Sequence, residues 1–184
     1  MLIARSAQEA HLYMDLRACA CGAAGFDRQH RLEERNGALV SVYEGVCPAC
    51  GTTRVFEFTL SDDRPPEPPA FGGAEPSRVL DPGEFLWVAD QVSTESGLRL
   101  LSAPLAEHRA IGAATAYAIA ALEEVAKFLP EHADRVPEDR FTSRLGQEMY
   151  AKDPTRFTRQ DITAALELKR RIAAGTRQFG TQQG

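Results

Sequence analysis

Four cysteines in two tight pairs constrain this chain more than any other feature. Cys19 and Cys21 stand in Ala-Cys-Ala-Cys-Gly, Cys47 and Cys50 in Val-Cys-Pro-Ala-Cys-Gly, and there are no others. Two thiolates from each of two short turns form the ligand set of a tetrahedral metal ion. A chain that uses them together must bring residue 19 beside residue 50. Pro48 fixes its own φ and removes an N–H, which stiffens the second turn. Gly51 follows the second cysteine of that pair, where such a turn commonly needs a positive φ. Backbone N–H groups in the turn can then point at the sulfurs.

The segment Cys47-Pro48-Ala49-Cys50-Gly51 resembles the knuckle of zinc ribbons and rubredoxins. The first pair departs from that pattern, with one residue between its cysteines, but keeps the trailing glycine. The resemblance covers roughly residues 19–60. It implies a metal held by Cys19, Cys21, Cys47 and Cys50, and a three-stranded ribbon. The residues between the pairs agree. Phe26–Arg35 can run extended, Asn36-Gly37 is a hairpin turn signal, and Ala38–Val46 is rich in β-branched and aromatic residues. Val55–Leu60 reads as the third strand, with Phe56, Phe58 and Leu60 on one face.

Disulfides are the alternative use of four cysteines. No secretory signal precedes them, since Glu9 and Asp15 interrupt the start of the chain. A cytoplasmic location then keeps the thiols reduced. One zinc ion is the expected cofactor, and iron is the second choice. Four protein ligands leave no open position for substrate, so the metal is expected to be structural. A zinc deaminase needs His-x-Glu and Pro-Cys-x-x-Cys, and neither occurs here.

The chain of 184 residues has room for one domain or two small ones, and its net charge is −5. Residues 1–77 carry 7 basic and 11 acidic side chains, and residues 78–184 carry 14 and 15. Neither half offers the cationic surface that non-specific nucleic-acid binding needs. The most apolar run, Ala110–Leu122, is shorter than the ~20 residues of a membrane span.

The expected class is α+β. Ser6–Leu16 reads as a short N-terminal helix, with Ser6 and Glu9 as a capping box. His11 on this helix is an alternative auxiliary ligand. The ribbon follows to residue 60, then a proline-rich linker over residues 61–77. Residues 78–175 read as an all-α bundle of about four helices, and residues 176–184 as a polar tail. Asp81-Pro82-Gly83-Glu84 starts the first helix of the bundle. Phe85, Val88, Ala89 and Val92 share a face, with Trp87 off it as a core or inter-helix contact, or alternatively a partner anchor. Pro104–Leu129 is the longest helical candidate, and its middle, Ile111–Ala121, is small and apolar nearly all round, as a central helix should be. Pro137–Tyr150 places Phe141, Leu145 and Met149 on one stripe. Thr158 and Asp161 open the last helix, Lys169-Arg170-Arg171 fall in its last turn, and Gly175 stops it.

Three functions compete. The favoured one is a non-enzymatic, zinc-stabilised interaction or adaptor protein, for example an immunity protein that covers a toxin. The second is a nucleic-acid-binding ribbon using Arg28, Arg31, Arg35 and Arg54. The third is an enzyme in the helical part, with Glu123, Glu124, His108 or His132 as acid or base.

Overall fold

A computed structural model describes residues 2–61, 66–100, 102, 104 and 107–181, with side chains described through Gly175. The start of the proline-rich run, Arg64 and Pro65, lies outside these residues, as do Leu105, Ala106 and the last three of the tail. The chain is α+β. It divides into two compact units, Met1–Val79 and Leu80–Gly184.

The first unit is one sheet with a helix on it. Its elements are β1 (Leu2–Ala4), α1 (Ala7–Asp15), β2 (Asp27–Arg35), β3 (Ala38–Val46) and β4 (Thr53–Leu60). The strand order is β1-β4-β3-β2, so the expected three-stranded ribbon gains a fourth strand. β1 runs parallel to β4, with Leu2 beside Phe58 and Ala4 beside Leu60. Three residues carry no readable period, and their partner lies more than fifty residues away. Only the folded sheet reveals this strand.

Asn36 and Gly37 adopt φ of 54° and 79°, the left-handed pair of a two-residue hairpin. They set Arg35 opposite Ala38 and, at the far end, Asp27 opposite Val46. In β3, residues 40–43 are all buried, because this central strand is covered on both faces. On one face Tyr43 and Phe58 join Ala4, Ala10 and Met14 in the core, and Tyr13 meets Phe58 edge-on at 5.6 Å. On the other, Arg35 reaches from β2 past β3 to Glu57 on β4, at 2.8 and 2.9 Å.

Ser6 caps α1 by accepting from the Glu9 N–H at 3.0 Å. The Glu9 carboxylate closes the motif one residue early, on the Arg5 N–H at 2.7 Å and its guanidinium at 2.6 and 2.9 Å. This ion pair is buried, and the Arg5 guanidinium also donates to the Glu75 carbonyl. Gly72 lies against Arg5, and the Ser6 hydroxyl donates to the Phe71 carbonyl at 2.6 Å. Phe71 itself is fully buried.

The second unit holds α2 (Pro82–Leu100), α3 (His108–Lys127), α4 (Arg144–Lys152) and α5 (Arg159–Thr181). α3 packs chiefly on α2 and then on α5. Its first half is only partly covered, unlike the enclosed helix expected from composition. Asp81 and Glu84 form the expected reciprocal box, at 2.9 and 3.0 Å. Asp81 does more: its second oxygen accepts from the Thr142 and Ser143 N–H groups at 3.1 and 2.7 Å. The expected helix from Pro137 therefore breaks. A 3-10 turn spans Glu138–Arg140, and Ser143 caps α4 by accepting from Gly146 at 2.8 Å. Phe141 leaves the predicted stripe to pack on Tyr150 and Phe157, at 4.6 and 4.7 Å.

Gly83 and Gly146 allow α2 and α4 to meet backbone to backbone. A Cβ at Gly83 would lie 2.4 Å from the Gly146 Cα. Gly83→Ala is expected to destabilise the second unit by about 2–3 kcal/mol, the cost of overpacking a rigid contact. Denaturation followed by Trp87, the only tryptophan, measures it. An unchanged midpoint would mean that the helices separate freely there.

Two further expectations are corrected. Gly175 does not end α5, which continues to Thr181, so residues 176–181 are helical. Lys169, Arg170 and Arg171 consequently lie well inside the helix. Lys169 donates to Ser93 at 2.5 Å, and Arg170 to Glu123 at 2.7 Å. Thr158 caps α5 as expected, accepting from Asp161 at 3.3 Å.

Candidate metal centre

The sheet delivers both cysteine pairs to one end. There Asp27, Val46 and Thr53 are neighbours, so β2 begins, β3 ends and β4 begins together. The turn between β3 and β4 carries Cys47 and Cys50. The chain leaving α1 carries Cys19 and Cys21 just before β2.

The two knuckles share a frame despite their different lengths. In the second, the Cys47 N–H donates to the Thr52 carbonyl and the Gly51 N–H to the Cys47 carbonyl, both at 2.9 Å. In the first, the Cys19 N–H donates to Ala23 and the Gly22 N–H to Cys19, both at 2.8 Å. Each bond in the first knuckle spans one residue fewer. Gly22 and Gly51 occupy matching positions, with φ of 89° and 71°. Deleting one residue thus tightens the turn and keeps its closure.

All four sulfurs lie within 4.8 Å of one another. Cys19 and Cys50 are 3.7 Å apart, Cys21 and Cys47 3.6 Å. These separations far exceed a disulfide bond of ~2.05 Å. They match the edge of a tetrahedron with zinc–sulfur bonds of about 2.3 Å, which is ~3.8 Å. The residues present therefore fit a four-thiolate ion. Cys19 and Cys47 are buried, and Cys21 and Cys50 form the outer side.

The surrounding donors favour thiolates unequally. The Thr52 hydroxyl, 3.2 Å from the Cys50 sulfur, and the Thr52 N–H bring the Cys50 thiol down to about 6. The N–H groups of Ala49 and Cys50 lower Cys47. Cys21 receives the Ala23 N–H, but the crowding sulfurs of Cys50 and Cys47 outweigh it and push that thiol up to about 11. A divalent cation would relieve that crowding by drawing all four into the thiolate form.

Arg54 holds the approach to the first knuckle, a role that the sequence does not announce. Its guanidinium is buried, stacks over Phe26 and Phe56 at 4.6 and 5.1 Å, and donates to the Arg17 carbonyl. Its position one residue into β4, facing Phe26, could be found only from the strand register. Among the described residues, the four cysteines are the one cluster of three or more metal-ligating side chains. His11 is not part of it. It packs edge-on against Tyr43 at 5.3 Å, where partial burial and then Arg28 hold its imidazole below the usual range.

The candidate acid–base residues of the helical unit sit apart from any such centre. His132 is exposed beyond α3, and His108 is the partly covered first residue of that helix. Glu123 pairs with Arg170. Glu124 is buried, with Lys127 at 2.5 Å. A cavity of about 370 Å³ lies between α2 and α3, lined by residues including Ser96, Arg99 and Tyr117, and none of these four is among them. No helix among the described residues is long and apolar enough to cross a membrane. Comparison with protein families, curated proteins and solved structures finds no match to the chain.

Proposed function

We propose that this chain is a zinc-stabilised protein-interaction module rather than an enzyme, with one structural zinc ion on Cys19, Cys21, Cys47 and Cys50. The observation that carries the metal assignment is the sulfur spacing of 3.6 and 3.7 Å. A closed set of four thiolates has no vacant position for substrate, so the ion serves to fix the knuckles. The net charge of −5 suits a basic protein partner. An immunity protein that covers a cationic toxin is one such pairing.

The nucleic-acid reading is weakened by what its cations touch. Arg28 pairs with Asp15 at 2.7 Å, and Arg31 with Glu33 and Glu44 at 2.7 and 2.9 Å. Arg35 is shared by Glu33 and Glu57, and Arg54 is buried. Arg31 and then Arg35 hold the Glu33 carboxyl below its ordinary value, and Arg35 does the same to Glu57. Cations neutralised in this way release few counterions from a phosphate backbone.

Elemental analysis of the untagged chain tests the metal. About one zinc per chain, with four thiols that react only after chelation, is the expected result. Iron would shift the reading to electron transfer, and metal-free protein would remove it. Tight retention on heparin with steep salt dependence would favour the nucleic-acid alternative.

A further inference from the structure

Among the described residues, β2 lies at one edge of the sheet and pairs only with β3. Its register is continuous over nine residues, without a bulge, and most of its side chains are exposed. The turn settles which backbone groups are already used. In a two-residue hairpin the closing pair, here Arg35 and Ala38, exchanges both its hydrogen bonds, and the pattern then alternates. Odd-numbered residues of β2 therefore bond to β3. Arg28, His30, Leu32 and Glu34 direct their N–H and C=O groups to the open edge.

Leu32 on this edge strand is the most exposed large apolar residue of the hairpin, at 57%; on β3, Val46 is 56% exposed at the far end and Leu39 53% exposed beside the turn. Leu32 and Leu39 are diagonal neighbours on one face, since Leu32 opposes Ser41 and Leu39 opposes Glu34.

A second copy laid antiparallel along the edge must face even residues with even residues. Five symmetric registers pair at least five of the nine residues of β2. Centring on Gln29 opposes Asp27 to Arg31 and Arg28 to His30, and leaves Leu32 beyond the paired strand. Centring on His30 opposes Asp27 to Glu33, twice. Centring on Glu33 opposes that residue to itself and Arg31 to Arg35. Centring on Arg31 aligns Asp27 with Arg35 and Arg28 with Glu34, but stacks two arginines on the axis and sets Leu32 against His30. Centring on Leu32 alone combines an apolar pair on the axis with no like-charged opposition. It places Leu32 on Leu32, Arg31 opposite Glu33 and His30 opposite Glu34, each twice by symmetry. Like charges directly opposite destabilise a strand pair, and opposite charges and apolar pairs stabilise it.

We propose that the chain self-associates as a two-fold dimer through antiparallel β2 edges centred on Leu32. The pairs Leu32–Leu32, His30–Glu34 and Glu34–His30 exchange about six backbone hydrogen bonds. Two copies each of Leu32 and Leu39 gather on one face of the joined eight-stranded sheet. This surface is separate from the candidate metal centre and does not depend on which ion is bound there.

Light scattering on the metal-loaded full chain, from micromolar to several hundred micromolar, tests it. The mass is expected to rise to twice the 20.1 kDa of one chain. Leu32→Glu puts two carboxylates on the axis and is expected to return the mass to that of a monomer, with metal content and circular dichroism unchanged. Leu32→Cys is the second variant. Its positions on the axis lie about 5.5 Å apart between Cα atoms, within disulfide reach. It is expected to give a crosslinked dimer on air oxidation, and Gln29→Cys is not. A monomer at every concentration overturns the proposal. So does a dimer that Leu32→Glu leaves intact, a Leu32→Cys variant that does not crosslink, or an edge that captures only extended peptides.

Discussion

Cys47→Ser is expected to empty the metal centre and unfold the knuckle end of the first unit together. Bound zinc should fall from about one per chain to a small fraction, and the three remaining thiols should become reactive without chelator. Cys47 is 1% exposed, so the serine hydroxyl is left buried without a cation and without the sulfur's bulk. The scale of the loss follows from the size of the core. Its centre on the α1 face of the sheet is Ala4, Ala10, Met14, Tyr43 and Phe58. A core that small needs support, and structural zinc supplies about 10–16 kcal/mol of apparent binding energy at neutral pH. Cys50→Ser should do less structural harm, because Cys50 is on the outer side. Hydrogen exchange at the Cys19 and Cys47 amides, which close the two turns, provides the readout. Full zinc occupancy in the Cys47 variant would show that the four sulfurs do not act as one site.

The second large effect is expected at Asp81. Its carboxylate accepts from the Glu84, Thr142 and Ser143 N–H groups, and it is 2% exposed. Asp81→Ala leaves three donors without their acceptor, one on buried Glu84 and two at the part-buried Thr142–Ser143 turn. At about 1–3 kcal/mol for the buried donor, and less for the two that water can reach, the expected loss is about 2–4 kcal/mol. Asp81→Asn keeps one acceptor oxygen, enough for the α2 cap or for the Thr142–Ser143 pair but not both. Its cost should fall roughly midway. Urea denaturation followed at Trp87 orders the three proteins, and equal midpoints for the alanine variant and the parent would remove Asp81 as the joint of α2 and α4.

The features legible in the sequence are those whose cause lies within a few residues. Asn36-Gly37 needs only its own left-handed φ values to make a hairpin. Ser6 with Glu9, and Asp81 with Glu84, satisfy helix-end donors three residues away. Cys47-Pro48-Ala49-Cys50-Gly51 is a turn whose glycine and proline are read directly. Helix ends were less legible. Gly175 carries a stop signal, yet α5 passes through it, since a glycine in a helix costs only about 1 kcal/mol and neighbouring turns can bear that. Phe141 fits a helical stripe with Leu145 and Met149. The second oxygen of Asp81, some sixty residues away, instead docks the N–H groups of Thr142 and Ser143 and starts the helix after them.

The sequence by itself determined the two paired-cysteine turns, the β2–β3 hairpin, the α+β class and the caps of α1, α2 and α5, because each rests on local backbone chemistry. Only the tertiary structure decided that Leu2–Ala4 completes the sheet beside β4, that Arg54 is buried under the first knuckle, and that Glu124 is buried while Glu123 is not. It also decided that the sulfurs approach to 3.6 and 3.7 Å. Those outcomes depend on which surfaces meet across long stretches of chain, and the free energy of such a meeting is shared among residues that no short window contains.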